Sequence, residues 1–157
     1  MSTELQYPLP TPPELGEAQE IAPGVFWLRL PLPFVLNHVN VWLLADGDGW
    51  TLVDTGLKSS KIEALWRQIM SDPFGGKPLK RIIGTHFHPD HIGLAGWFEE
   101  HWQVPLWMTR QDWSMGRMLQ LDSHDDLPQP VLDHFARTGL SQAEVAEMQA
   151  MGYANFG

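Results

Sequence analysis

Three imidazoles and a carboxylate fall within six residues, His86 to His91, of the stretch Thr85-His86-Phe87-His88-Pro89-Asp90-His91-Ile92-Gly93. Directly upstream, Arg81-Ile82-Ile83-Gly84 reads as a short buried strand. Alternate residues of an extended chain point the same way, so His86 and His88 leave the strand end on one side. Pro89 fixes φ and blocks a simple continuation of the strand, so the chain turns and can bring Asp90 and His91 back toward the imidazoles. Burying such a group with nothing between its members would leave several polar atoms to satisfy. Imidazole and carboxylate donors together suit a borderline-soft divalent ion, zinc first.

The rest of the chain has to deliver that strand end. With 157 residues and 43% apolar content, one globular domain is expected. There is no cysteine, so neither a disulfide framework nor a thiolate site is available, and any metal falls to His, Asp and Glu. A formal net charge of −9 counts against nucleic acid as a partner. No apolar run approaches the roughly 20 residues that span a bilayer. The first residues lack the basic-then-apolar layout of a secretory signal, so no membrane partner and a cytoplasmic setting are expected.

Residues 1–24 hold Pro8, Pro10, Pro12, Pro13 and Pro23 without periodicity and read as an extended arm. Strands are expected at Val25–Leu30, Asn40–Ala45 and Trp50–Asp54, the last two joined as a hairpin by Asp46-Gly47-Asp48-Gly49. Ser60 and Glu63 have capping-box spacing, and Ile62, Leu65, Trp66 and Ile69 form one helical stripe. Asp72 to Gly76 ends that helix and returns the chain to the histidine strand. A helix from Ile92 to Trp102 and a strand from Val104 to Met108 follow, an alternation that argues for an α/β sheet covered by helices. From Thr109 the pattern is helical: a start at Thr109–Asp112, a loop at 122–128, a helix between Pro130 and Gly139, and a last helix capped by Ser141–Glu144 with Val145, Met148 and Met151 on one face. The expected organisation is therefore an arm (1–24), a sheet-bearing unit (25–109) and a helical region (110–157).

The stretch THFHPDHIG, with Asp54-Thr55-Gly56 at an upstream strand end, resembles the metallo-β-lactamase-fold hydrolases, and within them the glyoxalase II-like pattern. The resemblance runs from about Val25 to about Thr109. It implies an αββα sandwich of which this chain carries the first half, with a helical insert at its C-terminal end. Carried over by position, His86 and His88 would bind a first metal, and Asp90 and His91 a second. Asp54 matches a family carboxylate that braces the metal loop from behind; the plainer alternative is a turn aspartate capping Thr55 and Gly56. The implied activity is metal-dependent hydrolysis of a small ester, thioester or lactone by a metal-bound hydroxide, zinc being the expected ion and iron or manganese the alternatives. Diiron flavoprotein relatives carry glutamate where this chain has His88, which disfavours that branch. Persulfide dioxygenases share the histidine motif, so an iron oxygenase stays open.

Complete members of the family are longer and draw further ligands from later strands. The expectation is that this chain supplies only part of the site, holds zinc loosely, and pairs with a second copy or a missing C-terminal half. A metal-binding or dimerising half-domain without turnover is the competing reading. Among the other histidines, His38 reads as a hydrogen-bonded structural residue and His101 as exposed. His124 and His134, in the helical region, are alternative sources of a missing ligand. The eight tryptophans are expected mostly in the core, with Trp107 and Trp113 as candidates to line a pocket.

Overall fold

Six strands form one sheet in sequence order, which brings both halves of the candidate site to one end of it. The computed structural model describes residue 9 and residues 11–71, 76–121 and 128–151, with side chains to residue 147. The strands are β1 (Ala18–Ala22), β2 (Val25–Pro31), β3 (His38–Asp46), β4 (Gly49–Val53), β5 (Leu79–Ile83) and β6 (Leu106–Trp107). The helices are α1 (Ser60–Ser71), α2 (Pro89–Ile92), α3 (Ala95–Trp102), α4 (Arg110–Leu121), α5 (Gln129–Arg137) and α6 (Gln142–Met151). Strands β1 to β4 run antiparallel to their neighbours, while β4–β5 and β5–β6 are parallel. The change to parallel pairing requires a crossover, and α1 supplies it. Ligand sites in such sheets gather beyond the carboxyl ends of the parallel strands. Here those ends carry Asp54 and Thr85-His86.

Period-two alternation sorts the sheet into two faces. Leu28, Leu30, Val39, Val41, Leu43, Leu52 and Ile82 point to one face and are buried with Ile62, Trp66 and Ile69 of α1 and Phe98 of α3. The Trp66 and Phe98 rings meet edge to face at 5.2 Å between centroids, a geometry that adds about 1 kcal/mol to their burial. The opposite face is only half-covered. On it Trp27 stacks on Trp42 at 6.2 Å, the Trp27 indole N–H donates to Asn40 Oδ1 at 2.8 Å, and Arg81 lies over the exposed Trp107 ring at 4.6 Å. The expectation that the tryptophans are mostly core holds in part, since Trp97 and Trp102 pack against the core beside the two buried ones while Trp27 and Trp42 lie on the other face. Trp50 and Trp66 are buried, whereas Trp107 and Trp113 are each 54% exposed.

The hairpin forms as read, with Gly47 at φ 62° in the turn and Asp46 opposite Gly49. Four expectations change. The arm gives way to β1 before residue 24, because Ala18–Ala22 finds a partner in the edge of β2. Helix α1 is capped by Ser59 rather than by a Ser60–Glu63 box: the Ile62 amide donates to Ser59 Oγ at 3.2 Å. The expected helix from Ile92 to Trp102 is two helices, since Pro89 is accepted in a first helical turn and draws the motif itself into α2. The last strand shortens to Leu106–Trp107.

Further along, Thr109 caps α4 by accepting the Asp112 amide at 3.1 Å. Gly139, at φ 91°, follows the C-cap of α5. Ser141 and Glu144 cap α6 reciprocally, amide to side chain in both directions. Most of the expected loop at 122–128, with His124, and the side chains of Met148 and Met151 lie outside the described residues. Among the described residues no helix is long and apolar enough to cross a membrane.

Candidate metal centre

Two loops meet edge to edge at the end of β4 and β5. The first, Asp54-Thr55-Gly56, begins with a residue held at φ 62°, a left-handed conformation that aspartate tolerates better than most side chains. That conformation turns the Asp54 carboxylate, 4% exposed, onto the second loop. Its Oδ1 accepts the Thr85 amide at 2.8 Å. Its Oδ2 accepts the Thr85 hydroxyl at 2.8 Å and lies 2.8 Å from His91 Nδ1. The side chain read as a brace thus stands between the strand end and the turn.

The hydrogen bonds assign the tautomers. Thr85 has one hydroxyl proton and gives it to Asp54, so at 3.0 Å it accepts from His86 Nδ1–H, leaving His86 Nε2 with its lone pair. His91 Nδ1–H donates to Asp54, which turns His91 Nε2 outward, 3.5 Å from Asp90 Oδ2. His86 Nε2 and His88 Nδ1 are 2.9 Å apart and share a proton, and the His86 and His91 rings lie 4.0 Å apart. The structure therefore brings His86, His88 and His91 together at the start of α2, with Asp90 beside His91.

Electrostatics separate the three rings. The hydrogen bond to Asp54 raises the His91 pKa, against burial, with the charges of Asp54 and Asp90 adding to the rise. Burial first, then the charges on His91 and His88, lower that of His86. Burial alone would raise Asp54; the hydrogen bonds from His91 and Thr85 outweigh it and hold the carboxyl below its usual value.

These shifts give the metal-free protein a pH signature. The stabilisation from His91 is complete below its unfolded value of about 6.5 and is lost as pH rises through the raised folded value. The share from Asp54 is present above about 3.9 and is lost as pH falls through its depressed folded value. His86 works the other way on acidification, so it has to be removed to see His91. In a His86→Ala background, the urea midpoint of the metal-free chain is expected to fall as pH rises from about 6 past the His91 value. Adding His91→Ala should flatten that slope.

Among the described residues, no three His, Asp or Glu side chains surround one point as a ready-made metal site. His86 Nε2 and His88 Nδ1 close on each other at 2.9 Å. Two nitrogens on one tetrahedral zinc ion stand about 3.4 Å apart, given Zn–N bonds of about 2.05 Å. The pair would open by about half an ångström, and His88 would move its proton from Nδ1 to Nε2. His91 turns its Nε2 toward Asp90, opening the His86–His88 pair would free the His86 Nε2 lone pair, and the donor types match. The residues fit such an ion.

Glycine makes the loop-to-loop contact. A Cβ on Gly93 would stand 2.8 Å from Lys58 N and 3.1 Å from Gly56 O, and it would also collide with Pro89 O. Sequence reasoning named Thr55 only as part of a motif and missed what it does. Fully buried, it donates its amide (2.6 Å) and hydroxyl (2.9 Å) to the His91 carbonyl and accepts the Leu94 amide at 3.1 Å. A polar residue directly after a buried strand was the available signal.

The remaining candidates lie elsewhere. His38 is half-buried, 3.1 Å from Arg29 Nη2 and 2.7 Å from Asn37 Oδ1. His101 is exposed on α3 and bonds Trp97 O at 2.9 Å, and His134 is exposed on α5. Trp113 helps line a cavity of about 600 Å³ with Phe87, Pro89, Ile92, Trp97 and Arg117. That cavity backs onto the loop and does not include the imidazoles, so its size carries no weight in assigning the site. Trp107 does not line it.

A mixed sheet thus presents a histidine-rich turn at the end of its parallel strands, locked by a carboxylate from the end of the neighbouring strand. The chain belongs to the metallo-beta-lactamase superfamily, whose sequence model matches residues 35–147. It is 32% identical over 81 residues to the probable metallo-hydrolase YqjP of Bacillus subtilis, covering 51% of this chain and 25% of that protein. It is 30% identical over 95 residues to the probable metallo-hydrolase YybB of the same organism, covering 60% and 41%. A crystal structure of a beta-lactamase domain protein from Burkholderia ambifaria superposes with a TM-score of 0.75 at 44% identity, covering 85% of this chain and 40% of that one. The chain thus spans between a quarter and about two-fifths of the length of these relatives.

Proposed function

We propose that this chain provides the metal-binding half of a hydrolase for a small ester, thioester or lactone. The observation that carries the reading is the gathering of His86, His88 and His91 at the start of α2, with Asp90 beside His91 and His91 held through Nδ1 by Asp54. In this reading His86 and His88 hold one zinc ion, and Asp90 and His91 hold a second. When bound, such ions supply Lewis acidity, polarising a carbonyl and making water nucleophilic at neutral pH. Asp54 keeps a proton on His91 Nδ1 and so keeps Nε2 free to ligate. Thr85 does the same for His86.

The loop between β2 and β3, at the same end of the sheet, exposes Phe34, Val35 and Leu36. Those side chains are suited to cover an apolar part of a substrate and exclude water from it. A negatively charged chain without cysteine accords with a cytoplasmic enzyme acting on a small molecule rather than on nucleic acid. The half-covered sheet face with Trp27, Trp42 and Trp107 is suited to a second half-domain or a second copy.

Two imidazoles leave the first zinc position short of its usual three or four protein ligands, and one imidazole with one carboxylate leaves the second short as well. We therefore expect the 157-residue chain to keep less than one zinc per chain after dialysis and to turn over neither a thioester nor a lactone appreciably. Supplying the remainder of the fold should restore both. Two tightly held ions and full turnover in the short chain would show that its own residues or its own dimer complete the centre. No metal in either form would end the hydrolase reading.

A further inference from the structure

Helix α1 packs on the sheet with Ile62, Trp66 and Ile69, and it is joined to the ligand turn by a continuous line of hydrogen bonds. The Trp66 indole N–H, on a fully buried side chain, donates to the Thr55 carbonyl at 2.7 Å. Thr55 in turn meets the His91 carbonyl with both its amide and its hydroxyl, and its hydroxyl accepts from Leu94. A helix of four residues cannot satisfy its own last carbonyls, so α2 depends on an outside donor for its placement. Thr55 supplies it. The preceding residue, Asp54, grips the ring of the same histidine, so His91 is held at backbone and imidazole by two consecutive residues. The two grips are joined through the Asp54–Thr55 peptide, and Trp66 holds the carbonyl of the next peptide, which limits how far Thr55 can turn.

We propose that Thr55, locked by Trp66, is a positioning residue that sets α2, and with it Asp90 and His91, against the strand-end imidazoles. This rests on reading Asp90 and His91 as metal ligands. Neither Thr55 nor Trp66 would touch the ion; they act through the His91 backbone.

Cobalt(II) binding to the 157-residue chain, followed by its visible absorption, tests this alongside the apo melting temperature. Thr55→Val keeps the branched shape but removes the hydroxyl, and should weaken cobalt binding about tenfold, the usual scale for partners behind a ligand. Thr55→Ser should restore it. Trp66→Phe keeps the contact with Phe98 but loses one hydrogen bond, and should weaken cobalt about threefold. A second readout needs no metal: the downfield proton resonance of His91 Nδ1–H bonded to Asp54. It should be present in the unaltered chain and in Thr55→Ser, and broadened or lost in Thr55→Val and Trp66→Phe. Lower melting temperatures with unchanged cobalt affinity and an unchanged His91 signal would reduce both residues to ordinary packing and overturn the proposal. If the unaltered chain binds no cobalt while the His91 signal follows this pattern, the link from Thr55 to metal affinity is overturned for this chain and the positioning of His91 by Thr55 stands.

Discussion

Replacing Asp54 with alanine is expected to remove about 3–5 kcal/mol of stability at neutral pH and to abolish measurable metal retention. Removing one partner of a buried, hydrogen-bonded charge pair has an effect of about this size. Three donors, the Thr85 amide, the Thr85 hydroxyl and His91 Nδ1, lose their acceptor together. Alanine also fits the φ of 62° poorly, which adds about 1 kcal/mol. Asp54→Asn separates stability from ligation. Asparagine tolerates the backbone and can still accept the Thr85 amide, so the loss should shrink to about 1–3 kcal/mol. Its amide N–H₂, however, faces His91 Nδ1 and favours the tautomer with the proton on Nε2, the atom needed for a metal. Chemical denaturation paired with zinc titration reads both effects. An Asp54→Asn protein that binds zinc as well as the unaltered chain would show that the carboxylate does not set the tautomer.

Gly93→Ala is expected to cost about 3 kcal/mol, at the upper end of the usual effect of overpacking. Gly93 sits at φ −59°, ψ −27°, an ordinary right-handed conformation that alanine prefers over glycine. Backbone preference therefore predicts a gain, and any loss is steric. The atoms that a Cβ would meet, Lys58 N, Gly56 O and Pro89 O, are all backbone, so none can swing aside as a side chain could. The two loops have to separate, and separation draws His91 away from Asp54. Thermal unfolding of Gly93→Ala against Gly96→Ala makes the comparison, since a Cβ at Gly96 meets nothing within 4 Å. Equal melting temperatures would mean that the loops are not in close contact.

The sequence was most informative where the needed residues are neighbours in it. His86, His88, Asp90 and His91 sit within six positions, and the apolar run before them made the delivering strand readable. The hairpin was readable because Asp46-Gly47-Asp48-Gly49 turns a chain on its own. Contacts between distant segments were not readable. Thr55 and His91 are 36 positions apart, and no local pattern announces that one helix carbonyl will need two donors from a loop on another strand's end. The strand β1 escaped notice because an edge strand with Glu and Gln has little alternation, and its pairing comes from β2. Trp27 and Trp42 were placed too deep because aromatic spacing says how a side chain points, not whether a second layer covers it. The boundary at Ile92 moved because Pro89 starts a helix as readily as it stops a strand.

The most direct test of the centre is where zinc goes. Crystals of the 157-residue chain soaked in zinc and measured at the zinc edge should show anomalous density among His86 Nε2, His88 Nδ1, His91 Nε2 and Asp90. The His86–His88 pair should be opened and the Asp54–His91 bond kept, and His86→Ala with His91→Ala should lose the density. Zinc bound away from these four residues, or retained in the double variant, would contradict the account.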